Sequence, residues 1–127
     1  MALEPGAVRR GAVVVVRIAG DKARPAVVMR SDLLADLSYA TVLLITSNPR
    51  DGISMRIDLD PDPKNGLRTA SQVMVDWPQT VRLSAMAEII GRLDAPTMQT
   101  ITRQLAVVLG IGARTVARRR TPPATRI

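Results

Sequence analysis

A chain of 127 residues and 13.7 kDa is long enough for one packed core and too short for two. It has no Cys and no His, which excludes disulfides, thiolate nucleophiles, Ser-His-Asp chemistry and the usual transition-metal sites. The net charge is +7, and 16 of its 18 basic residues are Arg, whose planar fork suits phosphate.

The first elements are signalled by β-branched runs. Residues 1–9 read as a loose lead-in. Ala12 to Ile18 is bounded by Gly11 and Gly20 and reads as a strand. Ala12 to Val16 is also the longest N-terminal apolar run, at five residues. A bilayer span needs roughly 20 and a signal core roughly 7–15, so the expectation is no membrane and a cytoplasmic location. Pro25 to Met29 is a second strand, near enough to pair with the first as a hairpin, with Pro25 at its start where a missing N–H is tolerated. Ser31 to Asp36 is one helical turn capped by Ser31. Thr41 to Ile45 is apolar throughout and is expected at the centre of a sheet.

After the turn-rich stretch Asn48-Pro-Arg-Asp-Gly52, Ile53 to Leu59 alternates. Ile53, Met55, Ile57 and Leu59 face one way and Ser54, Arg56 and Asp58 the other, a strand with one wet face. Pro61 to Gly66 is a loop. Ser71 to Asp76, Thr80 to Leu83 and Glu88 to Leu93 are three further short strands. Asp94 is a good N-cap, and the helix it starts carries Met98, Ile101, Leu105, Val108 and Leu109 at spacings of three and four, with Gly110 as its stop. The pattern predicts a mainly β (α+β) fold, a small antiparallel barrel of five to seven strands with a C-terminal amphipathic helix. The expected domain spans 10–112. Residues 113–127 contain five Arg and no acid and read as a basic, mobile tail able to hold phosphates without reading sequence.

Three segments carry the candidate chemistry: Lys22-Ala-Arg-Pro-Ala-Val-Val28, Leu44-Ile-Thr-Ser-Asn48 and Val75-Asp-Trp-Pro-Gln-Thr80. Together with Arg10-Gly11 before the first strand, Gly66-Leu67 before a strand ending in Asp76, and Ile90-Gly91-Arg92-Leu93 before the helix, they form an ordered set from about Arg10 to Leu109. In this order the chain resembles the MazF/PemK family of toxins, ribosome-independent endoribonucleases of type II toxin–antitoxin pairs.

The resemblance implies an SH3-like barrel of the CcdB/PemK type. It also implies cleavage of single-stranded RNA without metal or cofactor: the 2′-hydroxyl attacks phosphorus, leaving a 2′,3′-cyclic phosphate and a 5′-hydroxyl. Arg24 and Thr46 match the family's catalytic Arg and hydroxyl, with the guanidinium on the phosphoryl oxygens. Asp76 is a supporting residue or a turn anchor. Lys22, Ser47, Asn48, Arg50 and Trp77 are candidate RNA contacts. Surface charge is the competing reading for Arg50, as for Arg30, and for Trp77 it is burial over the barrel end or a subunit contact. Met74 stands where some relatives carry an Arg, so the general base and acid are unassigned. The implied partners are a second copy in a homodimer and a cognate antitoxin with an acidic, partly disordered segment. Two alternatives share the fold: a CcdB-like toxin that binds DNA gyrase without catalysis, and a barrel that only binds nucleic acid.

Overall fold

The computed structural model describes residues 3–18, 22–52 and 55–112; the tail 113–127 lies outside them. Six strands form one antiparallel sheet: β1 Ala12–Val16, β2 Arg24–Val28, β3 Tyr39–Thr46, β4 Arg56–Leu59, β5 Ser71–Arg82 and β6 Met86–Arg92, in the order β4-β5-β3-β2-β1-β6. One helix, α1 (Ala95–Leu109), follows. β1 and β2 pair as the expected hairpin, Val13 opposite Val27, and β3 lies inside the sheet with β2 and β5 as neighbours. Its unbroken apolar run follows from burial on both faces.

Alternation along the strands divides the core in two. Val14, Val16, Ala26, Val28, Val42 and Leu44 fill one face. Val13, Val27, Leu43, Ile45 and Val73 fill the other, where Met98, Ile101, Leu105 and Val108 of α1 cover them. Leu109 departs from the predicted stripe and is 55% exposed, because the helix turns it away in its last residue. Asp94 caps α1 by accepting the Thr97 N–H at 2.8 Å, and Gly110 ends it in the left-handed conformation at φ 77°. Ser31 caps its short 3-10 turn in the same way, through the Leu33 N–H.

Two features differ from expectation. The segments 71–76 and 80–82 belong to one long strand, β5, and Leu83 opens a 3-10 turn after it. Between Leu43 and Ile45 of β3 the partner shifts from Pro78 to Val73, so residues 74–77 bulge against Leu44. β4 pairs with β5 only along Ser71–Met74. Pro78 therefore lies in a stretch paired on one side alone, where its missing donor is tolerated.

The sheet is also not a closed barrel: β4 and β6 are both edges of the single sheet. The loop 60–66 bridges them instead, with the Arg92 N–H donating to the Lys64 carbonyl at 2.8 Å. Pro61 and Pro63 deprive this loop of donors for a ladder, and a glycine contact takes over. A Cβ at Gly66, whose φ is +73°, would stand 2.2 Å from the Ile90 carbonyl oxygen, and one at Gly91 would stand 2.4 Å from the Lys64 oxygen. Buried Asn65 holds the loop from within, accepting the N–H groups of Asp62 and Leu67 and donating to the Asp60 carbonyl.

Arg30 is neither a phosphate contact nor a surface charge. It is 5% exposed, and its guanidinium donates to the carbonyls of Pro5, Val8, Leu37 and Tyr39. It thereby ties the segment around buried Val8 to the sheet.

Two expected outcomes follow from these contacts. Gly91→Ala lowers unfolding free energy in urea by more than about 2 kcal/mol, since backbone must move, whereas Gly6→Ala, with open space around it, changes it by less than about 0.5 kcal/mol. The Thr97 hydroxyl and N–H hold the Asp94 carboxyl below the usual range, and the Arg10 N–H followed by Arg9 does so for Asp32. A depressed native pKa adds stability above the unfolded value, lost as pH falls through the native one. Asp94→Asn therefore flattens the loss of helical circular dichroism below about pH 4.

Candidate active site

The site grows from one end of three strands. Arg24 opens β2, and Pro25 after it holds it in the extended region. Thr46 closes β3. The β2–β3 register pairs Ala26 with Leu44; continued two residues further, it sets Arg24 level with Thr46. Arg24 shares its face with Ala26 and Val28, and Thr46 shares the same face with Val42 and Leu44. Thr46 in turn pairs with Gln72 of β5, and Gln72 with Asp58 of β4. A polar row, Arg24–Thr46–Gln72–Asp58, thus crosses the end of the sheet.

Thr46 is 8% exposed, and its Oγ1 accepts the Asn48 N–H at 3.1 Å, which turns the chain out of β3. The exposed loop beyond carries Ser47, Asn48 and Arg50. Beside this row a cleft of about 450 Å³ is lined by Arg24, Ser47, Arg68, Thr69, Ser71 and Glu88, together with apolar groups from β1, β2 and β6. Two guanidinium groups and three hydroxyls suit a phosphodiester. Glu88 is the one carboxylate among the described residues lining the cleft.

The predicted site residues separate into two groups. Arg24 and Ser47 line the cleft, Thr46 lies level with Arg24, and Asn48 and Arg50 follow on the same loop. Lys22, exposed, leads into β2 two residues before Arg24. Asp76 and Trp77 sit instead on the β5 bulge, outside the cleft lining. Trp77 is 58% exposed, so the expectation that the fold buries it over a barrel end does not hold within the chain: the bulge lifts it off the sheet.

Sequence reasoning did not single out Arg68, Glu88 or Gln72. Arg68 immediately follows the Gly66-Leu67 pair, whose contact with β6 places it, and that contact has no local signal. Glu88 reads as an ordinary exposed strand residue. A cavity of about 720 Å³ lies between Arg10, Asp32, Lys64, Arg92, Asp94 and Met98. Most of its charged groups serve the fold: Arg10 donates to Met29 and Thr102, Arg92 to the Arg10 carbonyl, and Asp94 caps α1.

Residues 9–109 match the family described as "PemK-like, MazF-like toxin of type II toxin-antitoxin system". The chain belongs to this toxin family. The toxin is 34% identical over 90 residues to the probable endoribonuclease MazF of Mycolicibacterium smegmatis (strain ATCC 700084 / mc(2)155), a match covering 71% of this chain and 83% of that protein. Its fold is similar to that of Mycobacterium tuberculosis toxin MazF-mt6, with a TM-score of 0.68 and 26% identity over 79% of this chain and 97% of that one. A mycobacterial endoribonuclease solved in complex with its cognate antitoxin superposes with a TM-score of 0.69 at 22% identity, covering 81% of this chain and 95% of the other. No helix among the toxin's described residues is long and apolar enough to cross a membrane.

Proposed function

We propose that this toxin is an endoribonuclease that cleaves single-stranded RNA in the cytoplasm, where messenger RNA is translated. The observation that carries the proposal is the placing of Arg24 and Thr46 abreast on one face of the sheet end, where Arg24 also borders a cleft holding a second guanidinium and three hydroxyls. The nucleophile belongs to the substrate. The 2′-hydroxyl of the nucleotide forms the new O–P bond, the P–O5′ bond breaks, and the products end in a 2′,3′-cyclic phosphate and a 5′-hydroxyl. The step needs no metal: it needs donors for the charge that builds on the phosphoryl oxygens and a group to receive the proton. Arg24 serves as the principal donor, with Thr46 bonding the same phosphoryl group. Water at the open strand ends receives the proton of the 2′-hydroxyl and supplies one to the leaving 5′-oxygen, since Glu88, level with Val15, projects to the other face of the sheet.

Arg68 adds a second phosphate contact, with Lys22, Ser47, Asn48 and Arg50 along the strand's path. Asp76 and Trp77 lie on the bulge beyond, so their part is support and stacking outside the cleft. The domain 10–112 forms the toxin unit, and the five Arg in 113–127 add affinity for polyanions that does not depend on sequence. The open edges at β4 and β6 favour assembly as a homodimer. A cognate antitoxin with an acidic segment complements the cationic cleft, by analogy with the relative solved in such a complex.

In a chelator-containing assay on unstructured RNA, the wild type yields cyclic-phosphate and 5′-hydroxyl ends, and Arg24→Ala lowers the rate by roughly 10²–10³. Binding without cleavage, unchanged by Arg24→Ala, would refute the assignment. Arg68→Ala weakens RNA binding and reduces the logarithmic salt slope by about 0.7, the share of one single-strand phosphate contact.

A further inference from the structure

Gln72 is 5% exposed, lies directly opposite Thr46, and places its amide at the junction of three segments. Its Oε1 accepts the Arg50 N–H at 3.0 Å and lies 3.4 Å from Arg56 Nη1. Its Nε2 donates to the Arg50 carbonyl at 3.2 Å and to Asp58 Oδ1 at 2.8 Å. One side chain thus engages both backbone polar groups of Arg50, as a neighbouring strand would, although Arg50 lies in the loop beyond β3.

The charges on β4 give the amide a direction. A carboxylate only accepts and a guanidinium only donates. Asp58 therefore selects the amino end and Arg56 the carbonyl end. Turned over, the amide would set oxygen against carboxylate and against the Arg50 carbonyl. In the observed orientation all four contacts agree, and that orientation is the one that holds Arg50. The loop so held begins at Thr46 and carries Ser47, Asn48 and Arg50.

We infer that Gln72 is a positioning residue of the cleavage site, holding the loop 47–52 to the sheet end through an amide whose direction is set by Asp58 and Arg56. The inference rests on the nuclease reading for its effect on catalysis and on geometry alone for its effect on the loop. Gln72 touches no reacting atom: it acts through the loop that leaves Thr46, so the phosphodiester meets a ready-made set of donors.

The test compares purified full-length wild type with Gln72→Glu, Gln72→Met and Asp58→Asn, the last at an exposed position that leaves the core intact. Amide exchange at Arg50 is followed by NMR and RNA cleavage by steady-state kinetics. Gln72→Glu preserves shape but loses both donations. Gln72→Met, which removes the acceptor of the Arg50 N–H, is expected to speed Arg50 exchange roughly ten-fold or more, the factor of about one lost hydrogen bond, and Gln72→Glu, which keeps that acceptor but sets a carboxylate against Asp58 and the Arg50 carbonyl, to speed it by less. They should also lower kcat/KM roughly 10–100-fold, chiefly through kcat, with exchange in β1 and β2 unchanged. Asp58→Asn should shift both readouts in the same direction by less. A merely structural residue would raise exchange across the sheet and leave kcat of the folded fraction intact. Wild-type Arg50 protection in folded Gln72→Glu and Gln72→Met, or faster exchange with unaltered kcat, would overturn the inference. If wild type and Arg24→Ala were equally inactive, the nuclease reading would fall, whereas Arg50 exchange would still decide whether the clamp exists.

Discussion

Antiparallel pairing obliges residues that face each other across neighbouring strands to project to the same side of the sheet, and the candidate site depends on that constraint. At one end of the sheet the paired row runs from Val16 to Arg24, on to Thr46, Gln72 and Asp58. Two residues further in, on the same face, the corresponding residues Val14, Ala26 and Leu44 are apolar and buried. The same alternation that builds the core thus delivers, at its margin, a guanidinium, a hydroxyl, an amide and a carboxylate in a line. Thr46 and Gln72 are nearly as buried as the core, and polar groups survive there only when bonded. The Asn48 amide and the backbone of Arg50 provide those bonds, so satisfying the buried polar groups and shaping the loop are one event.

The second determinant is the approach of two glycines. An open six-stranded sheet leaves a gap between β4 and β6, and the loop 60–66 fills it by pressing Gly66 against the Ile90 carbonyl while Gly91 receives Lys64 and Asn65. Arg68 and Thr69 emerge from this contact into the cleft, opposite Glu88 on the strand that Gly91 belongs to. Stability and function therefore share a structural part: the contact that replaces barrel closure also furnishes one wall of the cleft. Side chains in place of either hydrogen would separate that wall from β6.

The division between fold and site is uneven along the chain. The two cavities contain similar charged groups, yet in the one beside α1 they are largely occupied with capping and backbone carbonyls, as Arg30 is on the far side of β2. Charge alone does not mark a binding surface. What distinguishes the Arg24 cleft is that strand-end hydroxyls and a second guanidinium converge on it while the backbone needs of the segment are met elsewhere, by Gln72 and Asn65.

Local chemistry along the chain was sufficient for the strand segments, although it divided β5 in two, and for the caps at Ser31 and Asp94, the apolar stripe of α1 through Val108 and the central place of β3, because each depends on spacing within a few residues. Arg24 and Thr46 were visible through the ordered motifs of the family resemblance, not through local spacing. The continuity of β5 through Pro78 was not visible, because it depends on the β4–β5 pairing reaching no further than Met74. Nor were the open sheet, the exposure of Trp77, or the parts of Arg30, Arg68, Gln72 and Glu88. Most of these are set by groups that meet across more than a dozen residues of sequence, as Arg30 meets Pro5 and Val8 and Gln72 meets Arg50 and Asp58, and only the folded register brings those groups together.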